Sequence, residues 1–103
     1  MGKVMKRVPA FRLVPEPLDD ESRNLPKFRW ASPDVGTRHY LGGQPTMPVP
    51  EGNWPRCPDC QDKMSFYGQL DSLNDEFCIA DVGIICVFIC FQCNEVAAQI
   101  ESP

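Results

Sequence analysis

The chain has 103 residues, 43% hydrophobic and 23% charged, with a formal net charge of −4. That is one soluble domain at most, since about 100–150 residues already make a typical domain. Its longest apolar run, Val82 to Phe91, is ten residues, half of the ~20 a spanning helix needs. The basic start is not followed by the apolar stretch of a secretory signal, so the sequence points to a cytoplasmic protein without a membrane partner.

Eleven prolines and six cysteines are unusual, and ten of the prolines lie at or before Pro58. Residues 1–26 read as a proline-rich tail or extended edge segment. Val8 to Val14 is strand-sized, but Pro9, Pro15 and Pro17 confine it to an edge. Asp19-Asp20-Glu21-Ser22 can open a short helix that Pro26 stops.

Residues 27–103 are expected to form the folded domain. Lys27–Trp30 and Thr37–Leu41 are strand-sized and carry aromatic residues. His39, the only histidine, reads as a strand residue. Gly42-Gly43 permits positive φ. Four prolines then make residues 44–56 an extended connection. Met64 to Leu70 alternates, with Met64, Phe66, Gly68 and Leu70 on an inner face and Gln69 on a polar one. Val82 to Cys90 is continuously apolar, as in a strand covered on both sides. In Glu95 to Glu101, Val96, Ala98 and Ile100 are expected to point inward. Asn94 supplies the turn before it, because Asn tolerates the left-handed region. The fold class is therefore mostly β: a small antiparallel sheet with a proline-rich extended N-terminal segment.

Two CxxC pairs carry the chemistry. Cys57-Pro58-Asp59-Cys60 and Cys90-Phe91-Gln92-Cys93 are separated by 29 residues. Two cysteines on a tight turn place both sulfurs on one side, and two such turns facing each other supply four thiolates for a tetrahedral Zn²⁺. Both turns sit at strand ends, as in a zinc ribbon, and four thiolates fill the shell. The zinc is thus expected to be structural. Three disulfides, a redox CxxC or an iron–sulfur cluster are the rival readings. They are disfavoured by the missing signal, by the lack of a following helix and by the two matched pairs in a strand context. Cys86 and Cys78 read as buried packing residues.

These features, from His39-Tyr40-Leu41-Gly42-Gly43-Gln44-Pro45 through Trp54-Pro55, the first CxxC, Phe66-Tyr67-Gly68-Gln69 and the apolar strand to the second CxxC, resemble the bacterial YwqG-like family. That is a domain family without an assigned function. They also resemble the N-terminal part of the programmed cell death protein 2 family. The resemblance covers about Tyr40 to Cys93. It implies the same four ligands and, from the eukaryotic branch, a carrier of a newly made ribosomal protein.

Residues 56–103 hold two basic and eight acidic side chains, a net of −6. Nucleic-acid binding depends on neutralising phosphate, so a nucleic-acid-binding ribbon is disfavoured. No activated nucleophile or open metal position marks an enzyme. The reading is a zinc-stapled module for a protein partner with a basic or unpaired-strand segment, with Trp54 and Tyr67 as candidate contacts. The rivals are the nucleic-acid ribbon and an acidic immunity or inhibitor protein.

Overall fold

The computed structural model describes residues 6–103. They form one five-stranded antiparallel meander in the order β1-β2-β3-β4-β5. The strands are β1 (Phe11–Arg12), β2 (Tyr40–Leu41), β3 (Ser65–Asp71), β4 (Ile84–Cys90) and β5 (Glu95–Glu101). The expected mostly-β class holds. One helical turn, α1 (Asp20–Arg23), is opened by a capping box between Asp19 and Ser22. No helix among the described residues is long and apolar enough to cross a membrane.

The three long strands come from the β-branched and aromatic segments of the sequence, and they carry most of the pairing. The two-residue strands add an edge. Residues 8–13 run along residues 39–43: the Leu13 amide donates to His39 O at 2.9 Å and the Gly43 amide to Val8 O at 2.9 Å. This part of the segment 1–26 is therefore a sheet edge and not a free tail. Lys27–Trp30 forms no strand. It finds no strand partner, and Phe28 packs edge-on against Trp30 instead, with ring centroids 5.8 Å apart.

Two glycines let the edge close in. A Cβ on Gly68 would come within 2.6 Å of Tyr40 O, so β2 can lie against β3 only because that side chain is missing. Gly42 has φ +71°, and a Cβ there would strike Pro9 O.

One face of the sheet is packed. Phe66, Cys86, Phe88, Met64, Cys57 and Cys90 make its buried cluster, covered by Val49 and Trp54 from the proline-rich connection. The other face is open, and here three expectations fail. First, the β3–β4 register shifts between Phe66 and Gly68. This bulge puts Gln69 and Asp71 on the packed side and leaves Leu70 49% exposed. Second, β4 is covered on one side only: Ile84, Cys86, Phe88 and Cys90 are buried, whereas Ile85, Val87 and Ile89 are half-buried. Third, β5 is inverted. Val96 (68% exposed) and Ile100 (56%) point away from the packed side. The pairing explains this: Phe88 faces Ala97 and Cys90 faces Glu95, so the odd-numbered residues of β5 share the packed face with Phe88 and Cys90. The knuckle overrides the hydropathy alternation.

The end of the sheet away from the cysteines is held by buried polar groups. The Asp71 carboxylate accepts from the Gly36 amide (2.7 Å), the Arg38 amide (2.9 Å) and the Arg38 guanidinium (2.9 and 2.7 Å). Burial alone would raise this carboxyl, but the bonds from Arg38 and Gly36 hold it below the usual carboxylate value. His39 is buried in the same clasp: its Nδ1 accepts from the Asp71 amide at 3.0 Å and its Nε2 contacts Gly36 O at 3.1 Å. The neutral Nε2–H tautomer satisfies both contacts. Gln69 accepts from the Thr46 amide (2.9 Å) and donates to Arg38 O (2.9 Å) and Thr46 Oγ1 (2.6 Å). Among the described residues, no buried side-chain nitrogen or oxygen lacks a partner.

Candidate metal centre

Each CxxC is the tip of a hairpin. Arg56 and Lys63 bridge antiparallel beneath the first, and β4 and β5 flank the second. The two tips repeat one local geometry. The Gln61 amide donates to Cys57 O at 2.9 Å, and the Asn94 amide donates to Cys90 O at 2.8 Å. The donor residues both sit in the left-handed region, Gln61 at φ 68° and Asn94 at φ 60°. Asn94 does what its residue type leads one to expect; the left-handed Gln61 has no such signature in the sequence. The Cys57 amide closes the first tip further by donating to Asp62 O at 2.8 Å.

This backbone aims four sulfurs at one point. The Sγ atoms of Cys57, Cys60, Cys90 and Cys93 all lie within 4.8 Å of one another, and Cys60 Sγ is 3.8 Å from Cys90 Sγ. A tetrahedron with metal–sulfur bonds near ~2.3 Å has edges of about 3.8 Å, so the spacing suits a tetrahedral thiolate ion. All six cysteines are free of disulfides. The Asp59 amide points at Cys57 Sγ at 3.4 Å, the kind of second-layer donor that stabilises a thiolate. Backbone amides of Cys93 and Gln92 draw the Cys90 thiol down to about 7. Burial pushes the Cys93 thiol up to about 12. The donor set is thus preorganised, and a cation must take the place of protons to unite it.

The apolar floor of the site comes from the same strands. Trp54 stacks edge-on against Phe88 (centroids 5.1 Å apart), and Phe66 does so at 5.7 Å. The Trp54 indole N–H donates to Met64 O at 2.8 Å. Trp54 is therefore half-buried as a wall of the metal-side core, bordering a cleft of about 340 Å³ that Lys6, Arg7 and Pro45 also line. Tyr67 is the bulge residue. It is 42% exposed and its ring lies 6.3 Å from that of Phe91 in the second knuckle.

Of the leftover cysteines, Cys86 is fully buried in β4, and burial raises its thiol to about 11, which fits an inert packing residue. Cys78 is only half-buried, because it lies in the loop between β3 and β4 and turns its thiol to Ala80 O at 3.6 Å. Sequence reasoning missed Asp71 and Arg38. The strand-end aspartate offers no local sign of a partner 33 residues away. No family model matches the chain, and neither a curated protein nor a solved structure shows a significant likeness to it.

Proposed function

We propose that the chain is a binding module for another protein, built around one structural Zn²⁺ held by Cys57, Cys60, Cys90 and Cys93. Two matched hairpin tips carrying four thiolates are the arrangement zinc favours for structural sites, and four protein ligands leave no position for a reactive water. The metal on this reading fastens the two halves of the sheet together and does no chemistry; the protein is not an enzyme.

The observation that carries the binding role is the open face of the sheet. Leu70, Ile85 and Ile100 form one cross-strand row on it, and Val87 and Ala98 form the next, bounded by Gly68, which β2 covers. A contiguous uncharged surface of this kind on a small domain marks an interaction site more often than chance exposure. The acidic balance of residues 56–103 favours a basic partner by long-range attraction. A carrier role for such a partner is what membership of the programmed cell death protein 2 family would imply, and it is part of this proposal.

The test is affinity capture with three proteins: the zinc-loaded chain, a Cys57→Ser, Cys90→Ser variant and a Leu70→Arg variant, the last checked for intact fold. The reading expects a protein captured by the first and lost with both variants. Capture that survives Leu70→Arg would rule out the open face, and turnover of a substrate by the isolated chain would rule out the module.

A further inference from the structure

β5 is the last strand of the sheet, with no further strand beyond it among the described residues. An outer strand offers a row of unpaired backbone groups, and proteins usually blunt such an edge with Lys, Pro, a bulge or brevity. β5 has none of these four, and its only charges are the glutamates at its two ends. Its seven residues, Glu-Val-Ala-Ala-Gln-Ile-Glu, contain neither Lys nor Pro. They pair with β4 residue for residue without a shift.

The stretch of chain that contains β5 carries charge of one sign. Residues 64–103 contain no Lys or Arg at all, but six acidic side chains. Arg38 neutralises Asp71. No cation pairs with Glu95 or Glu101, the two ends of β5, among the described residues. Glu101 instead accepts from Gln99 Nε2 at 2.9 Å. Between the two carboxylates, Val96, Ala98 and Ile100 stand on the open face.

We infer that the outer edge of β5 takes an extended segment of a basic partner protein as a sixth, antiparallel strand. This rests on the binding-module reading and gives it a place. Lys or Arg of the segment sits opposite Glu95 and Glu101, and β-branched residues sit opposite Val96, Ala98 and Ile100. Main-chain bonds supply affinity in such strand addition, and alternate side chains supply selectivity. A second copy of this chain is the poorer occupant. Antiparallel self-pairing along the whole strand centres on Ala98 and sets Glu95 of one protomer against the partner's Glu101 at both ends, and like charges directly opposite are destabilising.

The probe is a capped peptide, Lys-Val-Thr-Val-Thr-Val-Lys, beside its counterpart with Glu at both ends. Each is titrated into the zinc-loaded full chain and followed by amide-resolved NMR. The Lys peptide is expected to shift the amides of residues 95–101, slow their hydrogen exchange and bind at least about tenfold tighter than the Glu peptide. Glu95→Lys with Glu101→Lys should reverse that preference. Three results overturn the proposal: binding indifferent to the charge exchange, shifts confined to the cleft at Trp54, or a concentration-dependent dimer that already protects β5 without peptide. The proposal also fails, with the module reading intact, if the doubly reversed variant still captures the partner that Leu70→Arg loses.

Discussion

Cys90 pairs directly with Glu95 across the hairpin that closes the metal site, and this one pairing decides which side of β5 faces away from the core. A ligand sulfur must point into the packed side, so Glu95 follows it, and Val96 is turned outward. The candidate metal site and the open face therefore share one hairpin, whose turn is closed by the Asn94 amide on Cys90 O at 2.8 Å.

The metal affinity should rise steeply with pH. Metal and protons compete for the same sulfurs, and the Cys93 thiol, at about 12 before metal binds, keeps its proton at neutral pH. Binding must release it. Calorimetry in buffers of different ionisation heat should show proton release at pH 7. A pH-independent affinity between pH 6 and pH 8 would contradict the thiolate set.

Asp71→Asn should be strongly destabilising. It removes the buried partner of a part-buried ion pair and leaves the Arg38 guanidinium, whose side chain is 11% exposed, without its carboxylate; breaking a wholly buried pair costs about 3–5 kcal/mol, which is the upper bound here. The pH dependence has a definite sign. The Asp71 carboxyl is held below its unfolded value, so its stabilisation is complete above about pH 4 and is lost as pH falls through the lower folded value. Denaturant titration of parent and variant should converge in acid.

Gly68→Ala should detach the N-terminal edge while sparing the rest. The added Cβ meets Tyr40 O at 2.6 Å, which is backbone and cannot swing aside. Hydrogen exchange should show faster amides at Gly42, Gly43 and Leu13, with β4, β5 and the cysteine tips unchanged. Uniform acceleration across all strands would mean that the edge and the three long strands unfold together.

Val82→Gly should stabilise the protein. Val82 is a β-branched residue at φ 48°, a conformation costing roughly 1–2 kcal/mol for L-residues and little for Gly. Its carbonyl, which accepts from Arg38 at 2.9 Å, is kept by the substitution. An increase in stability of about 1 kcal/mol is expected, after the added chain entropy of Gly is subtracted.

The four ligands, the three long strands and the turn at Asn94 are legible in the sequence because each depends on neighbours a few residues away. The side assigned to each strand is not. At Tyr67 a single bulge residue reverses the parity of everything after it, so Gln69 and Asp71 become buried and Leu70 does not. At β5 the hydropathy pattern argues for Val96 inward, and the constraint on Cys90 prevails. The Arg38–Asp71 clasp joins residues 33 apart, a distance over which composition and periodicity carry no signal. The pairing of Val8 with Gly43 is hidden for the same reason.

The central claim is that one zinc ion in a four-sulfur site holds this small sheet together. X-ray absorption at the zinc edge, on protein whose metal content and fold are measured in the same sample, tests it most directly. The account predicts one zinc per chain surrounded by four sulfurs near ~2.3 Å, and loss of the cooperative unfolding transition when a chelator removes it. A sample that is folded without metal, or a zinc shell containing nitrogen or oxygen in place of any of the four sulfurs, would contradict it.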